Sequence, residues 1–243
     1  GIYLNWSLSR YFDFIIGGDF THFSNGNTKF PNAGVNTTGA KIGLVYNFNQ
    51  EEADLTKSLV HPYVPRFPRH ISYDLVLFGS WRRKGVYVGE KQIASPGSYP
   101  VAGFNFAPMY NLNYKLRFGI SLDGVYDGSA NVYTEDALVE YDADSGSSRR
   151  KFLVPGIRHQ LALGLSGRAE YVMPFFTIGV GLGTNVLGRG DLRGLYQVFA
   201  LKINVIRNSF LHIGYNLQNF QTPNYLMLGL GFRFNNKYPK VRH

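Results

Sequence analysis

The chain has 243 residues, carries a formal charge of +9, and combines 17 Tyr, 19 Phe, 2 Trp and 28 Gly with only 17% charged residues. Such aromatic content excludes a disordered chain, and the absence of cysteine excludes a disulfide scaffold, thiolate metal sites and a cysteine nucleophile. The basic balance points to acidic partners, with nucleic acid, an anionic membrane surface and phosphorylated lipid all open.

The chain opens on Gly1-Ile-Tyr-Leu, with neither a start Met nor a signal peptide, so processing or truncation at the N-terminus is expected. No run of about 18 or more apolar residues is present, so no membrane-crossing helix is written here. A membrane-crossing β-strand, however, needs only about 9–11 residues apolar at alternate positions. That alternation recurs along almost the whole chain. Phe12, Phe14, Ile16, Gly18 and Phe20 alternate with Asp13, Gly17, Asp19 and Thr21, and Ala40, Ile42, Leu44, Tyr46 and Phe48 with Lys41, Gly43 and Asn47. Leu116, Phe118, Ile120 and Leu122 alternate with Lys115, Arg117, Ser121 and Asp123, and Leu161, Leu163 and Leu165 with Gln160, Ser166 and Arg168. The last run sets Leu226, Leu228, Leu230, Phe232 and Phe234 against Gly229, Gly231 and Arg233. One face is Leu, Ile, Phe and Tyr; the other is glycine, amide and charge, which suits a narrow wet lumen better than the flat outer face of a soluble sandwich. The strands are also long, about 10–14 residues, against about 5–6 for an average soluble strand.

The spacing predicts about eleven strands, at 2–8, 12–24, 38–48, 72–82, 99–110, 114–126, 157–171, 175–184, 194–205, 209–218 and 224–234. Short connections (Ser9–Tyr11, Asn111–Asn113, Val172–Pro174, Arg207–Asn208) alternate with long ones (Asn25–Thr37, Lys84–Pro96, Gly128–Pro155, Asn185–Arg193), as periplasmic turns and extracellular loops do in outer-membrane barrels. Asn49–His70 breaks the rule, being a long, charged, proline-containing connection on the short-turn side, suited to a plug or a docking segment. An odd count makes the first and last strands parallel. A closed antiparallel barrel of about twelve strands, with at least one N-terminal strand missing, is therefore expected, the whole of 1–243 forming one domain from the C-terminal part of a longer precursor. The final Gly229-Leu-Gly231-Phe232-Arg-Phe234 resembles the C-terminal signal read by the outer-membrane assembly machinery.

One group of residues looks chemical. The second strand ends Thr21-His22-Phe23-Ser24-Asn25-Gly26, followed by Pro31-Asn32-Ala33-Gly34-Val35-Asn36. Parity puts His22 and Ser24 on the apolar, lipid-facing side at the outer end of the strand, where polar groups are costly unless near the interface. Residues two apart on a strand have Cβ atoms roughly 7 Å apart, within reach of each other. A hydroxyl nucleophile needs a base, and the base a third group that orients it; Ser24, His22 and Asn36 supply those types in that order. The plain alternative is an interfacial His and Ser beside a loop of turn-formers.

The run His22-Phe-Ser24-Asn25-Gly26, with Pro31-Asn32-x-Gly34-x-Asn36 and the strand Gly39–Phe48, resembles the PagL-type lipid A deacylases, also known as acyloxyacyl hydrolases. Farther along, Phe78-Gly79-Ser80-Trp81-Arg82-Arg83-Lys84-Gly85, Arg168-Ala-Glu170-Tyr-Val-Met-Pro174 and Asn208-Ser-Phe-Leu-His-Ile-Gly214 are similar to the long members found in Bacteroidota. The resemblance implies a serine hydrolase of the Gram-negative outer membrane, with its active-site rim at the extracellular leaflet, that removes an ester-linked acyl chain from the lipid A of lipopolysaccharide without a metal or other cofactor. It makes Ser24 the nucleophile and His22 the general base. The third member in such enzymes is a Glu at the position of Asn36; the amide still accepts from an imidazole N–H but does not offset the imidazolium charge. Backbone N–H groups around Asn25 and Gly26 and the amide of Asn32 are the oxyanion-donor candidates, and Arg82, Arg83 and Lys84 the candidates for lipid A phosphates.

Elsewhere, Gly179-x-Gly181-x-Gly183 has no following helix and reads as structural, His212 reads as an internal hydrogen-bonding residue, and Arg117, Asp123, Arg168 and Glu170 read as lumen ion pairs. The competing reading is a catalytically weak or inactive barrel serving as an accessory subunit of an outer-membrane protein complex; no nucleic-acid partner is implied.

Overall fold

The computed structural model describes residues 1–25, 28–29, 34–48, 65–88, 90–134, 139–142, 147–220 and 222–237. They form two compact units, one of Gly1–Ser24 with Ala33–Arg66 and one of Asn25–Asn32 with Phe67–His243.

The first unit is a three-stranded antiparallel sheet of β1 (Ile2–Ser7), β2 (Phe12–Phe23) and β3 (Val35–Tyr46), in that order. The β1–β2 turn closes through Ser9, whose Oγ accepts from the N–H groups of Tyr11 (3.3 Å) and Phe12 (3.2 Å). Pairing sets the two faces apart. Leu4 lies opposite Ile16 and Trp6 opposite Phe14, which in turn face Ile42 and Leu44, so one face is continuously apolar. The other is polar: the Tyr3 hydroxyl donates to Asp19, Lys41 stands 5.6 Å over the Tyr3 ring, and Asn47 Nδ2 donates to Asp13 Oδ2 at 3.0 Å.

The second unit contains β4 (His70–Arg82), β5 (Gly85–Val88), β6 (Lys91–Ala94), β7 (Tyr99–Asn111), β8 (Leu116–Asp127), β9 (Val139–Asp142), β10 (Ser147–Arg150), β11 (Leu161–Val172), β12 (Phe176–Leu187), β13 (Leu195–Ile206), β14 (Ser209–Gln218) and β15 (Thr222–Phe234). Eight of them close an antiparallel barrel in the order β11-β12-β13-β14-β15-β4-β7-β8. All eleven long strands expected from the alternation are present, but the cylinder has eight strands, not twelve. The final strand seals against β4, with Phe232 opposite Leu75 and Leu228 opposite Gly79. That closure is antiparallel and gives an even count of eight. Two of the long connections carry hairpins, β5–β6 and β9–β10, and Ile157–His159 forms a 3-10 turn, so β11 begins at Leu161. Most of the Asn49–His70 connection, from 49 to 64, lies outside the described residues.

Parity within the barrel is as the alternation implies. Phe118, Ile120, Leu165, Leu182, Phe199, Leu211 and Leu230 are exposed on the outside. The interior is a packed column, as about eight strands leave just enough room for side chains. At the end bearing the short turns, Asp74 accepts from Arg117 Nη2 (2.9 Å), Lys202 Nζ (2.9 Å) and Arg233 Nε (2.9 Å). Glu170 binds the same Arg117 (2.9 Å) and Lys202 (2.5 Å). One step along, Asp123 accepts from Arg168, Asn105, Ser121, Ser166 and Tyr196, all at 2.6–2.9 Å. Beyond that the column turns apolar, with Phe78, Tyr225, Met227 and Val198 buried together. The lumen ion pairs expected at Arg117, Glu170, Arg168 and Asp123 are therefore present. His212 is buried inside, as its parity requires, yet neither ring nitrogen has a hydrogen-bond partner, contrary to the internal hydrogen-bonding role expected of it. Two voids within the column, each of about 20 Å³, hold no more than single waters.

The glycines of β12 make room for these charges. Gly179 pairs with Glu170 and Gly181 with Arg168, and a Cβ on Gly181 would lie 2.8 Å from Arg168 Cδ. Gly181→Val should push Arg168 off Asp123 and lower barrel stability by about 1–3 kcal/mol, read as a shifted urea midpoint with unchanged slope.

Candidate functional site

His22 lies at the end of the β2–β3 ladder, directly opposite Asn36. The cross-strand register fixes their contact: His22 Nδ1 lies 2.6 Å from Asn36 Oδ1. An amide oxygen only accepts, so Nδ1 carries the proton and Nε2 is left as the basic nitrogen. Down the same face run Phe20, Ile16, Phe14, Ile42 and Leu44, so the polar pair terminates an apolar track. Ser24 follows one residue beyond the end of β2, exposed and two residues from His22 along the chain.

Gly34 bears on His22 in a way the sequence did not assign. A Cβ at this position would lie 2.9 Å from His22 Cε1 and 3.6 Å from Nε2, so the ring rests across bare backbone. Its presence in the quoted motif was the only sequence signal. Gly34→Ala is expected to turn the ring away from Asn36 and weaken any His22-dependent reaction by roughly tenfold or more, while leaving the barrel's unfolding midpoint unchanged.

Of the oxyanion candidates, Gly26 and Asn32 lie outside the described residues. Asn25 opens a turn in which its Nδ2 donates to Lys29 O (2.9 Å) and its carbonyl accepts from Thr28 Oγ1 (2.7 Å). The basic triplet is dispersed. Arg82 is largely buried and donates to Asp127 (3.0 Å) and to Asn224. Arg83 donates to the carbonyls of Ser95 (2.6 Å) and Pro96 (3.4 Å). Lys84 pairs with Asp191, in the β12–β13 connection. Partial burial works to raise the Asp191 carboxyl, but the Lys84 ammonium and the Asn131 N–H outweigh it and hold the group below the usual carboxylate range. A lipid phosphate at any of the three would share the cation with these partners or displace them.

Among solved structures, one described as "NanC porin structure in rhombohedral crystal form" aligns over 97% of this chain and 98% of its own, with 11% identity and a TM-score of 0.24, too low to carry an argument. No curated protein matches the chain. The family model described as "Acyloxyacyl hydrolase, C-terminal domain" matches residues 71–236, which is the barrel from β4 to β15 and stops short of the sheet holding His22 and Asn36. The chain belongs to the acyloxyacyl hydrolase C-terminal domain family.

Proposed function

We propose that the protein is an outer-membrane serine esterase that removes an ester-linked acyl chain from the lipid A of lipopolysaccharide. Membership of an acyloxyacyl hydrolase family supports an ester substrate of this class. The barrel's apolar outer surface supports a bilayer as solvent, since a soluble monomer rarely exposes a contiguous apolar patch beyond a few hundred Å². Its strands, of 10–13 residues, meet the about 9–11 needed to cross.

The observation that carries the chemistry is the 2.6 Å contact between His22 and Asn36 at the end of an apolar face. Ser24 Oγ adds to the ester carbonyl carbon and passes its proton to His22 Nε2. The tetrahedral intermediate collapses, and the departing alkoxide takes that proton. Water then cleaves the acyl-serine through the same nitrogen. Asn36 holds the tautomer throughout, and the N–H groups of Asn25 and Gly26, with the Asn32 amide, stabilise the oxyanion. An acyl chain lies along the apolar track, which puts its ester at the polar pair.

Asn36 also favours a second reading, a catalytically weak barrel acting as an accessory of an outer-membrane complex, because a neutral amide does not offset the imidazolium charge. Lipid A incubated with the reconstituted protein and read by mass spectrometry decides between them. The esterase reading expects loss of one acyl chain, and Asn36→Asp should raise the rate by roughly tenfold, since charge-assisted hydrogen bonds are about twice as strong as neutral ones. Intact lipid A with both proteins leaves the accessory reading, which stable partners in a mild-detergent pull-down would then support.

A further inference from the structure

The short-turn mouth of the barrel is a wide, basic bowl. It has a volume of about 700 Å³, within the roughly 300–1,000 Å³ of small-molecule sites. Lys115 comes from the β7–β8 turn, Arg207 from the β13–β14 turn and Lys237 from the segment after β15, so three connections distant in sequence bring cations to one rim. The floor is Arg117 and Arg233. No carboxylate lines the bowl among the described residues. The Asp74–Glu170 pair below binds three cations with two carboxylates, so the floor adds positive charge to the rim rather than cancelling it. Lys115 and Lys237 are exposed and make no ion pair among the described residues.

Two further features point to a ligand. Arg117 is 2% exposed, yet its Nε has no hydrogen-bond partner, leaving a buried guanidinium donor unsatisfied at the base of the bowl. The wall beside the cations is apolar, formed by Met173, Pro174, Val205 and Ile206. The rim is also held in shape: Phe67 packs edge-on against Tyr114 with ring centroids 4.9 Å apart, and the Lys237 N–H donates to His70 Nε2 at 3.1 Å.

We infer that this bowl binds a phosphate-bearing anion, with Lys115, Arg207 and Lys237 contacting the phosphate oxygens and the Met173–Ile206 wall covering an apolar portion. Guanidinium and ammonium groups converging from several sides match the tetrahedral oxygens of a phosphate ester better than a planar carboxylate. The source is a free phosphorylated solute or the headgroup of an anionic phospholipid. The site is at the opposite end of the barrel from the loops bearing Arg83 and Lys84, and it does not depend on the esterase reading.

The full chain in uncharged detergent, titrated calorimetrically with inorganic pyrophosphate, tests the free-anion source. The chain in phosphatidylcholine nanodiscs with and without phosphatidylglycerol, read by native mass spectrometry for retained lipid, tests the headgroup. The Lys115→Gln/Lys237→Gln double variant should weaken binding on the order of ten- to a hundredfold in whichever arm binds. Arg193→Gln, in the connection at the other end, should leave it unchanged. Heat-dependent gel mobility establishes that each variant holds its barrel. Binding of pyrophosphate assigns a soluble ligand, and retention of phosphatidylglycerol alone assigns a headgroup. Absence of binding in both arms, or binding indifferent to the two lysines, overturns the inference.

Discussion

Asp74→Ala is expected to destabilise the barrel by about 3–5 kcal/mol, the cost of removing one partner from a buried ionic cluster. Asp74 is 1% exposed and receives Arg117, Lys202 and Arg233 within 2.9 Å, so it ties together strands β4, β8, β13 and β15. Without it, Glu170 alone faces three cations in a column with no room for more than isolated waters. Urea unfolding of the protein in detergent, followed by gel mobility, should show the midpoint falling with the slope preserved. The charge explanation makes a sharper claim than the bare loss. Asp74→Asn keeps much of the shape and some hydrogen bonding but should lose most of the same stability. Adding Lys202→Met to Asp74→Ala should restore part of it, because the second change removes a cation that the first left unmatched. A double variant as unstable as the sum of the singles would mean that Asp74 acts by shape rather than charge.

The alternation made the strands legible because a half-buried strand must repeat every two residues whatever its partner. Closure was not legible on the same grounds. Whether Phe234 pairs with Tyr73 or with a strand beyond Gly1 depends on which edge is nearest in space, and no local pattern records that. Counting all long strands into one cylinder led to twelve, whereas β1–β3 form a sheet in a unit of their own. The same distinction runs through the interior. Arg117 with Glu170 and Arg168 with Asp123 were readable as lumen charges because each strand alternated visibly around them. Asp74, in Ser72-Tyr73-Asp74-Leu75-Val76, was not singled out, because Leu75-Val76-Leu77-Phe78 is apolar at consecutive positions and hides which face of its strand looks inward. At the candidate site, His22 and Asn36 were legible through parity and motif, and the register then supplied their contact. Gly34 carried no visible role, because what it contributes is the space its missing side chain leaves beneath an imidazole.

Ser24→Ala and His22→Ala should each lower lipid A acyl release by about a thousandfold or more, with no comparable change in the barrel's unfolding midpoint. His22, in β2, and Ser24, one residue past its end, are both exposed and neither is part of the eight barrel strands, so neither substitution removes buried area from the barrel. The double variant is the informative one. If Ser24 and His22 pass a single proton between them, removing the second partner of a broken pair costs nothing more, and the double variant should be no slower than the slower single. Additive losses would mean independent roles, for instance His22 binding substrate without taking the proton. His22→Gln separates these cases further: a glutamine still donates to Asn36 Oδ1 but has no basic nitrogen, so it should be as inactive as alanine if His22 is the base. Activity of His22→Gln near that of the unsubstituted protein would place the proton acceptor elsewhere and leave the 2.6 Å His22–Asn36 contact as a strand-end clasp rather than half of a catalytic relay.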